Sequence, residues 1–501
     1  MKHQRLVSSF FVVTLGLSIA GVSALSPVAA SAAMSGSLDV NYLTLAVGSD
    51  ASQLTVSWQS AAKIAAPAVR VWTGDQQAVQ FVGTSTDSVS SVSSLYSNHV
   101  TLTGLAADTT YTYQVGDGNG NWSVTHTTTT GNPDAYSYVV VGDPQIGASG
   151  NVASDTASWV NTMNVIQSNF PNVSFTVGTG DQIDSATSLA QQDGFFSPAQ
   201  MTSLPFNSAM GNHEGNNAGP RSFFNPPNSD GVQDYWYRYG DTLYMVWNCN
   251  QGTPDTMKAF LQDAIDQNPD ATWRVLDFHF DVYGQGSSHA LSDGKAYRDQ
   301  YVSVIDQFGI DVVFNGHDHS YSRSYPVTYS GSADTSNTGI VHPETFDANG
   351  ASVNPTGTVY FTLDSASGSK YYSLVAQQPY TAMMAQSDRP QFTVVTMTAT
   401  SFTATTYQIE TTNTLTQVDT YTIVKPVTVV SATPAASVTQ LAGNTNDLTI
   451  TITEQLSNGK TNTMSSVFSI AKNSASTYTV GPYSVYVDTK GNTQIRDCHV
   501  V

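Results

Sequence analysis

From residue 38 to about 130, apolar and polar positions alternate in short runs. Examples are Leu54-Thr-Val-Ser-Trp58, Val69-Arg-Val-Trp72, Val100-Thr-Leu-Thr103 and Tyr111-Thr-Tyr-Gln-Val115, with turn residues between them. Alternation with period two predicts strands buried on one face, and their spacing predicts a β-sandwich of about seven strands. From Tyr136 the pattern changes. Positions 138–141 and 173–177 are apolar strand-like runs, recurring at 206–210, 243–247, 273–280 and 310–314. Helical spacing appears over 152–170, around 188–202, over 254–267 and over 295–308. Strands alternating with helices predict a layered α/β domain. After about residue 355 the helical spacing stops. Runs 358–363 and 392–397 are expected to complete the sheets, and 401–425 to close them. Residues 427–501 are β-rich again, with turn signals at Asn458-Gly459 and Lys490-Gly491, and predict a separate small β domain beginning near Pro426–Pro434.

The first 32 residues follow a different pattern. Lys2 and Arg5 precede an apolar stretch over 10–20, and Ala30-Ser31-Ala32 offers small residues for cleavage. This predicts a signal peptide over 1–32. A membrane anchor is the alternative, but Gly16, Gly21, Ser23 and Pro27 interrupt the span. No later apolar run approaches the ~20 residues that a membrane helix needs. The remainder is therefore expected to be exported and not integral to a membrane.

The chain of 501 residues has room for about two to four domains. Its 18 basic residues face 38 acidic ones, for a net charge of -20. No basic stripe is present, which argues against a nucleic-acid partner. The surplus acid is spread along the chain and reads as a solubilising surface. Cys249 and Cys498 are the two cysteines. A disulfide is allowed outside the cell, and a buried free thiol is the commoner fate of a cysteine in an apolar run such as 245–249.

Five motifs at strand ends carry metal-ligand residue types. They are Gly142-Asp143-Pro144-Gln145, Gly180-Asp181-Gln182-Ile183-Asp184, Gly211-Asn212-His213-Glu214, Phe278-His279 and Gly316-His317-Asp318-His319. Of ten histidines, four lie in these motifs. In an open α/β sheet, ligands bind past the carboxyl ends of the strands, where Asp181 falls. One carboxylate there holds one metal or bridges two. Imidazole with carboxylate suits Zn, Fe or Mn. His317 and His319 share a face on a regular strand, or are splayed by the turn toward separate ions. Glu214 reads as structural or as support for its neighbours. His99 and His126 stand alone and read as structural. Arg323, in Ser-Tyr-Ser-Arg, reads as a packing and pairing residue, and Ser367-Gly-Ser-Lys370 lacks the spacing of a phosphate loop.

The order Asp, Gly-Asp, Gly-Asn-His, His, Gly-His-x-His resembles the calcineurin-like metallophosphoesterases, and among them the purple acid phosphatases, which place a fibronectin type III-like domain first. Leu105 followed by Asp108, Thr109 and Tyr111 resembles the corner motif of such domains. The resemblance covers about residues 38–425 and implies a four-layer α/β/β/α sandwich over 136–425. This is flanked by the β-sandwich at 38–130 and the small β domain at 427–501.

Carried over by position, the resemblance implies that Asp143 and His319 hold a first metal and that Asp181 bridges. Asn212, His279 and His317 would hold a second metal. His213 would face the substrate and protonate the leaving group, and His289 would meet phosphate from further out. Two positions depart from the pattern. The third residue after Asp181 is Asp184 rather than the tyrosine that colours the purple enzymes, so ferric iron loses its main support and a purple protein is not expected. Asp184 resembles the Ser/Thr phosphatase branch, where such an aspartate orients the histidine, here His213; a direct ligand role is the alternative. Gln145 stands where many relatives have histidine, which weakens the first site.

The expectation is a secreted phosphohydrolase, released or loosely surface-bound. Two divalent or mixed-valence ions (Fe, Zn or Mn) would supply a hydroxide for in-line attack on a small phosphomonoester. Acidic working pH is implied by the resemblance alone. A phosphodiesterase or nucleotidase on the same core is the alternative within enzymes. A surface-binding protein with a vestigial site, using its β modules for cell-surface contact, is the alternative outside them. Oligomeric state is not legible.

Overall fold

The computed structural model describes residues 38–87, 95–215, 223–229, 233–331, 338–440, 445–457 and 459–498. The expected leader over 1–32 and Asn458 of an expected turn lie outside them.

The N-terminal region is a sandwich of two four-stranded sheets. One contains Asn41–Val47, Leu54–Ser60, Tyr96–Leu102 and Thr84–Asp87, the other Val79–Val82, Ala68–Trp72, Thr110–Gly116 and His126–Thr129. Eight strands form rather than about seven. One edge segment crosses between sheets at Gly83, and its halves pair separately. Leu45, Val56, Trp58, Val69, Val100 and Tyr113 fill the interior. The Tyr111 hydroxyl accepts from the Ala106 backbone N–H at 2.7 Å and ties the corner. His99 lies 3.0 Å from the Ser57 hydroxyl, and His126 stacks on Tyr113.

Two seven-stranded sheets follow, packed face to face. The first centres on parallel strands Phe206–Ser208, Thr176–Gly178 and Ala135–Val141, joined to antiparallel Gln391–Thr398, Ser401–Ile409 and Leu415–Val424. The second centres on parallel Thr242–Val246, Trp273–Asp277, Val312–Asn315 and Val359–Thr362. Alternation sorts the side chains between layers. Tyr138 and Val140 point between the sheets, where they meet Phe175, Tyr244, Phe314 and Phe361. Val139 and Val141 point outward onto Trp159, Met163 and Ile166 of helix Val152–Asn169. Leu243 and Met245 likewise pack under helices Pro254–Gln267 and Asp293–Ile305. The result is an α/β/β/α arrangement.

Asn151 caps the first of these helices, and Thr253 with Pro254 opens the next through a reciprocal Thr253–Thr256 cap. The sandwich docks beside the Phe206–Ser208 strand: Val47 N–H donates to Asn207 Oδ1 at 3.0 Å, and Tyr113 Oη to the Thr202 carbonyl at 2.7 Å.

The C-terminal region forms two three-stranded sheets around Leu448, Ile450, Ile452, Tyr483 and Val485. Pro434, which the sequence places at a boundary, lies inside edge strand Val429–Gln440, where a missing N–H is tolerated. Cys249 is a free cysteine buried beside Trp247 and Met257. Among the described residues no helix is long and apolar enough to cross a membrane.

Candidate metal centre

Parallel pairing aligns the strand ends. Gly178 is opposite both Val141 and Ser208, and Asp277 is opposite Val246 and Phe314. The loops after these strands therefore open on one edge of the two sheets. Their backbones are unusual there. Asp143, Gln145, Asp181, His317 and His319 all have positive φ, between 28° and 71°. Each such residue costs about 1–3 kcal/mol and persists only when its surroundings hold it.

The named side chains converge. Asp143 Oδ2 lies 3.2 Å from His319 Nε2, and Asp143 Oδ1 lies 3.8 Å from His279 Nδ1. His279 Nε2 lies 3.2 Å from Asp181 Oδ2 and 3.0 Å from Asn212 Oδ1. Ligand atoms of Asp181, His279 and His317 all fall within 4.8 Å of one another. Asp143, Asp181, His279, His317 and His319 are buried, while Asn212 is exposed and His213 half-buried at the rim.

Each imidazole is oriented by an acceptor. Nδ1 of His279 faces the Thr179 carbonyl at 2.9 Å, and Nδ1 of His319 faces the Lys370 carbonyl at 3.0 Å. Nε2 of His317 lies 3.2 Å from Asp293 Oδ2. A carbonyl can only accept, so the facing nitrogen carries a proton, and the other nitrogen is the one left for a metal ion. His279 and His319 thus present Nε2 to the carboxylates. Burial pushes His317 down to about 4 and His319 down to about 3, which keeps both neutral near pH 7. Burial opposes the charge on His279 too, but Asp181 and Asp143 outweigh it and raise it to about 10. Asp181 itself is held below its ordinary range, because His279 and His213 outweigh its burial.

His213 and Asp184 also meet, with one change from expectation. The acceptor at 2.6 Å from His213 Nδ1 is the main-chain carbonyl of Asp184, while the carboxylate lies at 3.4 Å. That carboxylate instead accepts from Gln145 Nε2 at 3.2 Å. His289 packs its ring 3.8 Å from that of His317. All nine singled-out residues are therefore in one site.

Glu214 supports its neighbours, as its place in the sequence suggests, while the 365–370 segment and Asp293 carry no such signal. Glu214 accepts from the backbone N–H groups of Asp181, Gln182, Ile183 and Gly211 at 2.8–3.3 Å, clamping two ligand loops together. Segment 365–370 is a brace: Ser365 Oγ donates to the Asp143 carbonyl at 2.9 Å, Ser367 and Ser369 bond the Pro144 carbonyl, and Lys370 orients His319. Asp293, four residues after His289, was overlooked. Arg323 is committed to Asp419 at 2.7 Å and lies over Tyr421, a packing role.

The donor set fits transition-metal ions. Asp143 Oδ1 and Gln145 Oε1 are buried without a hydrogen-bond partner, and Asp143 Oδ2 faces His319 Nε2 at 3.2 Å. Such orphaned oxygens are costly unless a ligand meets them. Mixed imidazole and carboxylate donors suit Zn, Mn or Fe.

Comparison with known proteins agrees with this geometry. Residues 40–130 match the purple acid phosphatase N-terminal domain, and residues 136–321 match the calcineurin-like phosphoesterases. No curated protein matches the chain. Among solved structures, purple acid phosphatase PPD1 from yellow lupin (Lupinus luteus) seeds is similar at 16% identity and TM-score 0.58, covering 77% of this chain and 75% of its own. PhoD is similar at 13% identity and TM-score 0.51, covering 78% and 91%. At such identities the two structures speak for the fold alone. Residues 136–321 thus form a calcineurin-like phosphoesterase domain with a purple-acid-phosphatase type of domain ahead of it, and the chain is a metallophosphoesterase hydrolase.

Proposed function

We propose that the chain is an exported hydrolase of small phosphomonoesters. One observation carries this reading: separately oriented imidazoles turn toward the Asp143–Asp181 pair, while His213 and Asn212 stand at the accessible rim. Asp143 and His319 would hold one ion, Asn212, His279 and His317 a second, and Asp181 would serve both. Two ions held there supply Lewis-acid stabilisation of phosphoryl oxygens and a nucleophile at neutral pH.

The remaining roles fall to the chain itself. His213 is fixed through Nδ1 on the Asp184 carbonyl, so Nε2 is its exchanging position. That atom lies 3.9 Å from Asp181 Oδ2. In the charged form Nε2–H can hydrogen-bond the leaving-group oxygen and protonate it. His289, with Nδ1–H on Asp293, has Nε2 left, and in the charged form that N–H can donate to a phosphoryl oxygen. Asp184, holding Gln145, keeps the His213 loop against the first ligand loop.

Export rests on the leader-like pattern over 1–32. The test of substrate class is steady-state turnover of p-nitrophenyl phosphate beside its bis-aryl diester, on protein loaded with Zn, Mn or Fe. A higher kcat/KM for the monoester is expected. Turnover of the diester alone would overturn the monoester assignment in favour of a phosphodiesterase.

A further inference from the structure

We propose that Asp293 is a positioning residue, a single carboxylate that locks the metal-holding imidazole of His317 to the substrate-side imidazole of His289. The inference deepens the proposed function and rests on it.

Asp293 opens the Asp293–Ile305 helix, whose N-cap residue Ser292 makes no side-chain cap bond. Its carboxylate is turned to the site. Oδ2 lies 3.2 Å from His317 Nε2 and 3.0 Å from His289 Nδ1, and Oδ1 lies 3.1 Å from the same His289 nitrogen. The two rings sit 3.8 Å apart at 40°. His317 comes from the loop after Val312–Asn315, and His289 from the loop before the helix. The carboxylate therefore joins two loops that also meet through Gly286 N–H on the Asp318 carboxylate.

The chemical consequence is a choice of tautomer. A carboxylate accepts from N–H, so His317 carries its proton on Nε2 and keeps the Nδ1 lone pair for an ion beside Asp181 and His279. A ring N–H held by a carboxylate also raises the basicity of the metal-binding nitrogen, and loss of such a partner costs about 10–100-fold in metal affinity. The same carboxylate fixes the proton of His289 on Nδ1 and frees Nε2 toward the substrate side. Because one group serves both imidazoles, retention of the second ion and presentation of His289 are coupled.

The test compares the wild type with Asp293→Ala, Asp293→Asn and, as a control on the same helix, Asp299→Ala. Each is stripped, reloaded with Mn and titrated with a competing chelator. The wild type and the control are expected to hold two ions with equal affinities. Asp293→Ala is expected to keep the first ion and bind the second about 10–100-fold more weakly. Asp293→Asn, which retains an acceptor oxygen, is expected to recover part of the loss. Two ions held as tightly in Asp293→Ala as in the wild type would overturn the proposal. So would three ions in the wild type and two in Asp293→Ala, since His289, Asp293 and His317 would then be an ion site of their own. A wild type that holds no ion would refute the phosphohydrolase reading instead. Imidazole nitrogen NMR shifts of His317 in the metal-free wild type and Asp293→Asn then decide the inference separately. The Nε2–H tautomer in the wild type supports it, and Nδ1–H overturns it.

Discussion

The carbonyl oxygen of Asp184 lies 2.6 Å from Nδ1 of His213, closer than the carboxylate of the same residue. The contact that fixes this histidine is thus a main-chain one. His213→Ala is expected to lower kcat by about 10²–10⁴-fold, the usual worth of a general acid, while leaving two ions bound. Asp184→Ala should cost much less, because the carbonyl stays. Kinetics paired with metal analysis checks both, and near-normal kcat in His213→Ala would remove it from the chemistry.

Glu214 holds four backbone N–H groups that belong to two ligand loops. Glutamine at this position turns a donor toward some of them. Glu214→Gln is expected to destabilise the fold by about 2 kcal/mol or more and to weaken metal retention, because Asp181 sits on one of those N–H groups. Denaturant midpoints and metal content read the two effects. Unchanged metal retention would show that the clamp is dispensable.

Two glycines leave room for the carboxylates. A Cβ at Gly211 would overlap the Asp181 carboxylate, and one at Gly316 would overlap that of Asp143. Gly211→Ala and Gly316→Ala are expected to cost about 1–3 kcal/mol through overpacking and to lower ion occupancy. Folded variants with full occupancy would contradict this packing.

In the metal-free protein the carboxylates set a pH dependence. Burial opposes charge on His279, yet Asp181 and Asp143 raise it from 6.5 to about 10. A folded value above the unfolded one gives stability that is complete below pH 6.5 and lost as pH rises through 10. Urea midpoints of stripped protein are expected to fall across that window. Saturating Zn or Mn, which displaces the proton, should flatten the profile. Midpoints that rise with pH in the stripped protein would exclude this account.

The domain in front should be separable from the chemistry. Tyr111→Phe removes the bond to the Ala106 N–H and is expected to cost about 1 kcal/mol with kcat unchanged. A matching loss of kcat would mean that the sandwich shapes the site.

Much of the site was legible because parallel strands put their chemistry at one end. A glycine and a ligand after each apolar run point to the same edge whatever the connections are. The Pro254–Gln267 helix was legible to the residue because Thr253 and Pro254 mark its start. Strand limits were less so: 173–177 reads as a strand by hydrophobicity, but regular pairing with Val139–Val141 begins at Thr176. Phe175, just before it, packs its ring between the sheets, while its carbonyl still accepts from Val139 N–H at 3.1 Å. Asp293 was hidden because an acid in the first turn of a helix is ordinary. The carbonyls of Thr179, Asp184 and Lys370 carry no identity in the sequence, since any residue supplies one.

The central claim is that these side chains hold ions that drive phosphoester hydrolysis. The measurement that tests it most directly is turnover of an aryl phosphomonoester by stripped protein as Zn, Mn or Fe is titrated in. The account predicts no turnover without metal, a rise that saturates near two ions per chain, and loss on chelation. Turnover untouched by chelation, or none with any metal in a folded chain, would contradict it.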